Sequence, residues 1–158
     1  MEAIVQYIEP PYGMYPARLD DKGRLKLPAA FQQYFAALPE RKLFVTSLDR
    51  CTAQVYPIKA WRDNVKILQE YRGEGNAARK AAFNASDLGS ESEMDAQGRI
   101  LFSPELRRAL GIENQPVRLF AYRGRIEILT EATYEKLKGE AATLSQDDLD
   151  KLEAAGLN

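Results

Sequence analysis

The chain has 158 residues, of which 45% are apolar and 28% charged, with a formal net charge of -1, one cysteine and no histidine. That balance suits a soluble globular protein; a single Cys51 excludes an intrachain disulfide and fits a reducing, cytoplasmic setting. Without histidine the commonest general base, the Ser-His-Asp constellation and the commonest transition-metal ligand are all missing, so the expectation is no enzyme, no catalytic residue, no metal and no cofactor.

The N-terminal residues 1–13 form an expected extension. The opening Met1-Glu-Ala-Ile-Val-Gln6 has neither the basic region nor the apolar core of a signal peptide, and no apolar run along the chain approaches a membrane span. Residues 14–72 form a first unit. Tyr15-Pro-Ala-Arg-Leu19 reads as a strand leading into Asp20-Asp-Lys-Gly23. Aspartate first and glycine fourth suit a type I turn closed by a glycine bulge. Arg24-Leu-Lys-Leu27 alternates as the returning strand. Pro28 to Phe35 predicts a short helix with Phe31, Tyr34 and Phe35 apolar, followed by strands over Lys42 to Ser47 and Thr52 to Tyr56. Ile58, Trp61, Val65 and Leu68 then share one face of a longer helix.

Residues 73–87 form a linker, in which Gly73 to Asn76 breaks the chain and Ala77 to Ala85 forms a short helix. Residues 88–138 form a second unit. In it Ser103 caps a helix, Pro104 suits the first turn, Leu106, Ala109 and Leu110 are its apolar residues, and Gly111 ends it. Val117 to Tyr122 and Arg125 to Leu129 are strands about a tight Arg123-Gly124 hairpin, and Tyr134 and Leu137 lie on a following helix. Residues 139–158 are acidic, with one Lys against five Asp/Glu. There Ser145-Gln-Asp-Asp148 resembles a capping box for a last helix carrying Leu149 and Leu152.

The two units are copies of one pattern. Leu19-Asp-Asp-Lys-Gly-Arg-Leu-Lys-Leu-Pro28 returns 75 residues later as Met94-Asp-Ala-Gln-Gly-Arg-Ile-Leu-Phe-Ser103. Leu25 answers Ile100, Leu27 answers Phe102 and Phe31 answers Leu106; later Gln54-Val55-Tyr56 answers Glu127-Ile128-Leu129, and Trp61 answers Tyr134. Two copies are too few for a solenoid, so a pseudo-symmetric pair sharing one core is expected.

The doubled Asp-x-x-Gly-Arg turn, each followed by an apolar strand and a short helix, resembles the MraZ family. The resemblance covers both repeats, their spacing and the helix between them. It implies an α+β, β-rich fold of two pseudo-symmetric AbrB-like swapped-hairpin (double-ψ-like) β-barrel repeats with short helices. It also implies a sequence-specific DNA-binding transcriptional regulator, chiefly a repressor of a division and cell-wall gene cluster. Such a protein would sit on the nucleoid and bind repeated short DNA elements as a ring-shaped homo-oligomer, with no membrane and no small-molecule substrate as partner.

Within that resemblance Arg24 and Arg99 are the expected DNA contacts, with Lys22 and Lys26 as phosphate neighbours. A guanidinium can hold a carboxylate with one edge and offer donors to phosphate or a base edge with the other. Asp20 and Asp95 cannot favourably approach phosphate, so they are expected to orient the arginines, while Gly23 and Gly98 serve the turns. Met14 to Arg62 holds nine Lys/Arg against four Asp/Glu, and Asp95 to Arg125 six against three; local basicity of this kind matters more to a polyphosphate than net charge does. Because Gln97 and Leu101 stand where the first copy has Lys22 and Lys26, Arg24 is expected to matter more than Arg99. Arg107 and Arg108 read as solvated, and Arg123 and Arg125 as additions to a basic rim. The competing readings are an AbrB-type antitoxin or protein-binding assembly module on the same fold and, last, a carboxylate enzyme, for which no motif marks a pair.

Overall fold

The structure is a computed structural model and describes residues 7–158. The opening Met1–Gln6, and with it the expected absence of a signal peptide and part of the expected extension, lies outside the described residues. Among the described residues the order is β1 (Tyr15–Arg18), β2 (Arg24–Lys26), α1 (Ala29–Ala37), β3 (Leu43–Thr46), β4 (Ala53–Pro57), α2 (Ile58–Glu70) and α3 (Ala77–Leu88). Then follow β5 (Ser90–Ser92), β6 (Arg99–Leu101), α4 (Pro104–Leu110), β7 (Pro116–Tyr122), β8 (Arg125–Thr130), α5 (Glu131–Ala141) and α6 (Gln146–Ala154). None of these helices is long and apolar enough to cross a membrane.

The strands form a six-stranded antiparallel sheet, β1-β7-β8-β4-β3-β5, and a separate antiparallel ribbon, β2-β6. This is the mixed α+β architecture expected, but it is not β-rich, since more of the described residues lie in helices than in strands. Replacing each strand by its counterpart in the other copy leaves both orders unchanged. The first strand of each copy pairs with the third strand of the other, β1 on β7 and β5 on β3. The second strands pair with each other about Leu25↔Ile100, and the fourth about Gln54↔Glu127.

One sequence expectation changes here. Arg24 to Leu27 does not return along Tyr15 to Leu19 as a hairpin; a lone Leu19↔Leu25 bridge is the extent of that pairing. Strands of three or four residues make a marginal hairpin by themselves. Pairing β2 with β6 instead lets Leu25 and Ile100 bury completely side by side. The short β5, Ser-Glu-Ser, was not expected as a strand, since it carries no apolar alternation and takes its place only through β3.

Leu25, Leu27 and Phe31 of the first copy join Ile100, Phe102 and Leu106 of the second in one buried cluster, closed by Val45, Val55, Ile126 and Ile128 from the large sheet. Burying each such side chain is worth roughly 1.5–3 kcal/mol. Helices α2 and α5 pack on β4 and β8. Trp61 stacks on Phe44 with ring centroids 4.6 Å apart; at the equivalent place Arg118 lies over the Tyr134 ring at 4.0 Å. Trp61 and Tyr134 are half-buried rather than core, Ala109 is exposed, and α5 buries no residue, leaving Leu137 exposed. Ser103 caps α4 by accepting from the Leu106 amide, and the Ser145–Asp148 capping box forms as expected. No residue of α6 is buried.

Candidate nucleic-acid interface

The two Asp-x-x-Gly-Arg turns are built alike. In the first, the Gly23 amide donates to the Asp20 carbonyl at 3.2 Å and the Asp20 amide to the Arg24 carbonyl at 2.9 Å. In the second, Gly98 donates to Asp95 at 3.0 Å and Asp95 to Arg99 at 2.9 Å. Glycine at φ +78° and +75° closes each turn, in a region that L side chains rarely adopt. One oxygen of Asp20 accepts the amides of Lys22 and Arg24, both at 2.9 Å, and the other accepts Arg24 Nε at 2.7 Å. Asp95 repeats this with the amides of Gln97 and Arg99 and with Arg99 Nε, each at 2.9 Å. These bonds favour the ionised form. The Arg24 amide, and with it the Arg24 guanidinium and Lys22 amide, hold the Asp20 carboxyl down to about 2, and the Arg99 amide lowers Asp95 likewise. Each aspartate is thus spent on its own loop and its own arginine.

The ribbon sets where the arginines point. Along β2 and β6 the middle residues, Leu25 and Ile100, face the core, so their neighbours face away. The register places Arg24 opposite Leu101 and Lys26 opposite Arg99. Three expected contacts, Arg24, Lys26 and Arg99, therefore share one solvent-facing surface with an exposed Leu101, and Lys22 stands exposed on the adjoining turn. The two guanidinium groups differ in freedom. Arg99 also donates from Nη2 to the Gln97 side chain at 3.2 Å. Arg24 has no second acceptor among the described residues, which leaves both its Nη groups for a ligand. Lys26 reaches across to the Gln97 carbonyl and so belongs partly to the second turn.

Each turn is completed by the other copy. The Leu27 amide donates to the Gly98 carbonyl and the Phe102 amide to the Gly23 carbonyl, both at 2.9 Å. Helix α1 lays Gln32 across Gly98, and helix α4 lays Arg107 across Gly23; a Cβ on either glycine would lie 2.5 Å or less from that side chain. Arg107 is thus not the solvated residue expected: its side chain is 14% exposed and sits against the first turn. The sequence held a signal for it, since Gln32 and Arg107 occupy equivalent places one residue after Phe31 and Leu106. Arg123 and Arg125 correct in the opposite sense. Arg18, at the start of the first turn, lies beside Pro116 at the beginning of β7, whereas these arginines follow its far end, roughly 20 Å away along a seven-residue strand. There Arg125 is held by Glu127, and both arginines lie over the Tyr122 ring at 5.2 Å.

Comparison with known proteins gives the family of the chain. Residues 89–154, the second copy and the last helix α6 after it, match the model of the MraZ protein family, whose description calls it antitoxin-like. The chain is 30% identical over 145 residues to the transcriptional regulator MraZ of Acidobacterium capsulatum, covering 92% of this chain and 98% of that one. It is 32% identical over 150 residues to the transcriptional regulator MraZ of Koribacter versatilis, again covering 92% and 98%. With that of Pelotomaculum thermopropionicum it shares 31% over 143 residues, 89% of this chain and 93% of the relative. Similarity of this extent on both sides of the alignment, over a chain whose two turns carry the doubled motif, places the protein in the MraZ family.

Proposed function

We propose that the protein is a transcriptional regulator that binds DNA through the outer surface of the β2–β6 ribbon and its two turns. The observation that carries this reading is the pair of arginines whose Nε groups are held by Asp20 and Asp95 while the Arg24 Nη groups stay free. A guanidinium already oriented by a carboxylate loses little entropy on meeting phosphate or a base edge. An antiparallel two-stranded ribbon also fits the width of a major groove. Arg24 and Arg99 are the contacts, Lys22 and Lys26 the phosphate neighbours, and Asp20, Asp95, Gly23 and Gly98 the framework that aims them.

The relatives' names supply the regulatory role, and the family resemblance supplies its direction. The protein acts in the cytoplasm on the nucleoid, repressing a division and cell-wall cluster through short repeated elements. The exchange of strands between the copies supports two swapped-hairpin barrels around one pseudo-dyad. Unlike copies on one chain present unlike faces, which suits head-to-tail association, and that closes a ring where the rotation between subunits allows it. The test is a gel shift with a duplex from upstream of the chain's own gene, with light scattering for the assembly. Binding that weakens steeply with salt is the expected result, because each neutralised phosphate releases counterions. A stable monomer would remove the ring, and affinity indifferent to salt would favour the second reading, a protein-binding assembly module. That second reading has its own support: α6 buries nothing and leaves Leu152 exposed beside an acidic surface.

A further inference from the structure

We infer that Arg107, contributed by the second repeat, is an electrostatic member of the first turn's DNA-binding surface. This rests on the reading of the ribbon as a DNA interface and deepens it. The side chain crosses Gly23 with Nε, Cδ and Cζ all within 2.5 Å of where a Cβ would stand, between Lys22 and Arg24 in the chain. Covering that glycine does not require a charge, because the equivalent glycine, Gly98, is covered by the neutral Gln32. Packing explains a long polar side chain in this cradle; it does not explain a guanidinium.

Nor is the charge cancelled where it sits. Arg107 Nε donates to the Ser103 carbonyl at 3.4 Å, and the nearest carboxylate among the described residues, Glu113, stands 3.9 Å from Nη1 and is itself 52% exposed. Both are loose contacts. A cation backed by protein on one side keeps more of its field than one surrounded by water. The first turn therefore gathers Lys22, Arg24 and Arg107 around one glycine, with Asp21 exposed beside them, while the second gathers Gln97, Arg99 and Gln32 and receives Lys26 across the ribbon. Removing the Arg107 charge should accordingly weaken the hold of the first turn on polyphosphate.

The experiment compares Arg107→Gln, Arg107→Lys and Gln32→Arg in the full-length protein, against a duplex from upstream of its own gene, across a salt series. Arg107→Gln copies the arrangement found at Gly98, so melting temperature and assembly size should hold. Its affinity should fall severalfold at low salt, with a log–log salt slope shallower by about one per engaged turn. Arg107→Lys should retain the wild-type slope, and Gln32→Arg should tighten binding and steepen the slope. Wild-type affinity and slope in Arg107→Gln, or equal losses in the Gln and Lys variants, would overturn the inference and leave only a packing role. If Arg107→Gln fails to fold, Gln32→Arg decides by itself, since a gain supports the charge and no change refutes it. Arg24→Ala separates the layers. Loss of binding there with Arg107→Gln unaffected sinks this inference alone; no shift of the duplex by the wild-type protein sinks the DNA reading with it.

Discussion

The first and second turns share backbone bonds, carboxylate, glycine and arginine, yet they present different chemistry. At the first, Asp20 engages an arginine whose Nη groups are free, with Lys22 beside it and Arg107 behind. At the second, the Arg99 guanidinium is also bound by Gln97, and Gln32 stands behind. The lesson is that duplication preserved what the fold needs and varied what the surface offers. Gly23 and Gly98 are costly to change, since a positive φ strains any residue with a Cβ and the side chain packed on the Cα would have to shift to admit one. Positions 22/97, 26/101 and 107/32 face outward or across the turn, where substitution costs the fold little.

The largest effects should come from the residues by which each copy holds the other's turn. Phe102→Ala should cost roughly 3–5 kcal/mol and Leu27→Ala roughly 2–5 kcal/mol, as for other buried truncations. Urea denaturation would measure both, and a near-neutral result for either would break the equivalence of the two anchors. Next is the function of the arginines. Arg24→Ala should weaken DNA binding by roughly 1–3 kcal/mol per contact, multiplied by avidity in an oligomer, whereas Arg99→Ala should be milder. Melting temperature should move by a few degrees at most in either. Equal losses would show that the second turn is as engaged as the first, and intact affinity in the double variant would remove both from the site.

Gly23→Ala and Gly98→Ala come third. A left-handed conformation costs a non-glycine residue roughly 1–2 kcal/mol, and displacement of Arg107 or Gln32 adds to it. Both should lower the melting temperature, and if Gly98→Ala were harmless the second turn would be the looser of the two. The smallest effect concerns pH. Because folding lowers the Asp20 carboxyl from its ordinary 3.8 to about 2, its contribution to stability is complete above the unfolded value. It is lost as pH falls through the folded one. The stability gap between wild type and Asp20→Asn should hold constant from neutral pH to about 4 and close toward about 2. No gap at any pH would mean that the amide bonds, which asparagine keeps, carry the turn without the charge.

Much of this was legible beforehand because it is local. Asp first and glycine fourth dictate a turn whatever surrounds it, so Asp20, Gly23, Asp95 and Gly98 could be placed from spacing alone. Alternation put Leu25 and Ile100 inside and their neighbours outside, and Ser103-Pro104 and Ser145 to Asp148 announced their helices by the groups that cap a first turn. Partner choice is a different kind of fact. A three-residue strand such as β2 or β5 buries too little to select its neighbour. That neighbour was decided by which arrangement buries Leu25 with Ile100 and Leu27 with Phe102, a property of two segments 75 residues apart in the sequence and adjacent only after folding. The same exchange carried Arg107 from a surface that read as solvated onto the turn of the opposite repeat. Sequence by itself determined the turns, the inward and outward faces and the family. Tertiary structure alone decided which strand meets which and which charges stand together, because those depend on burial summed over the whole core, and no window of the sequence contains that sum.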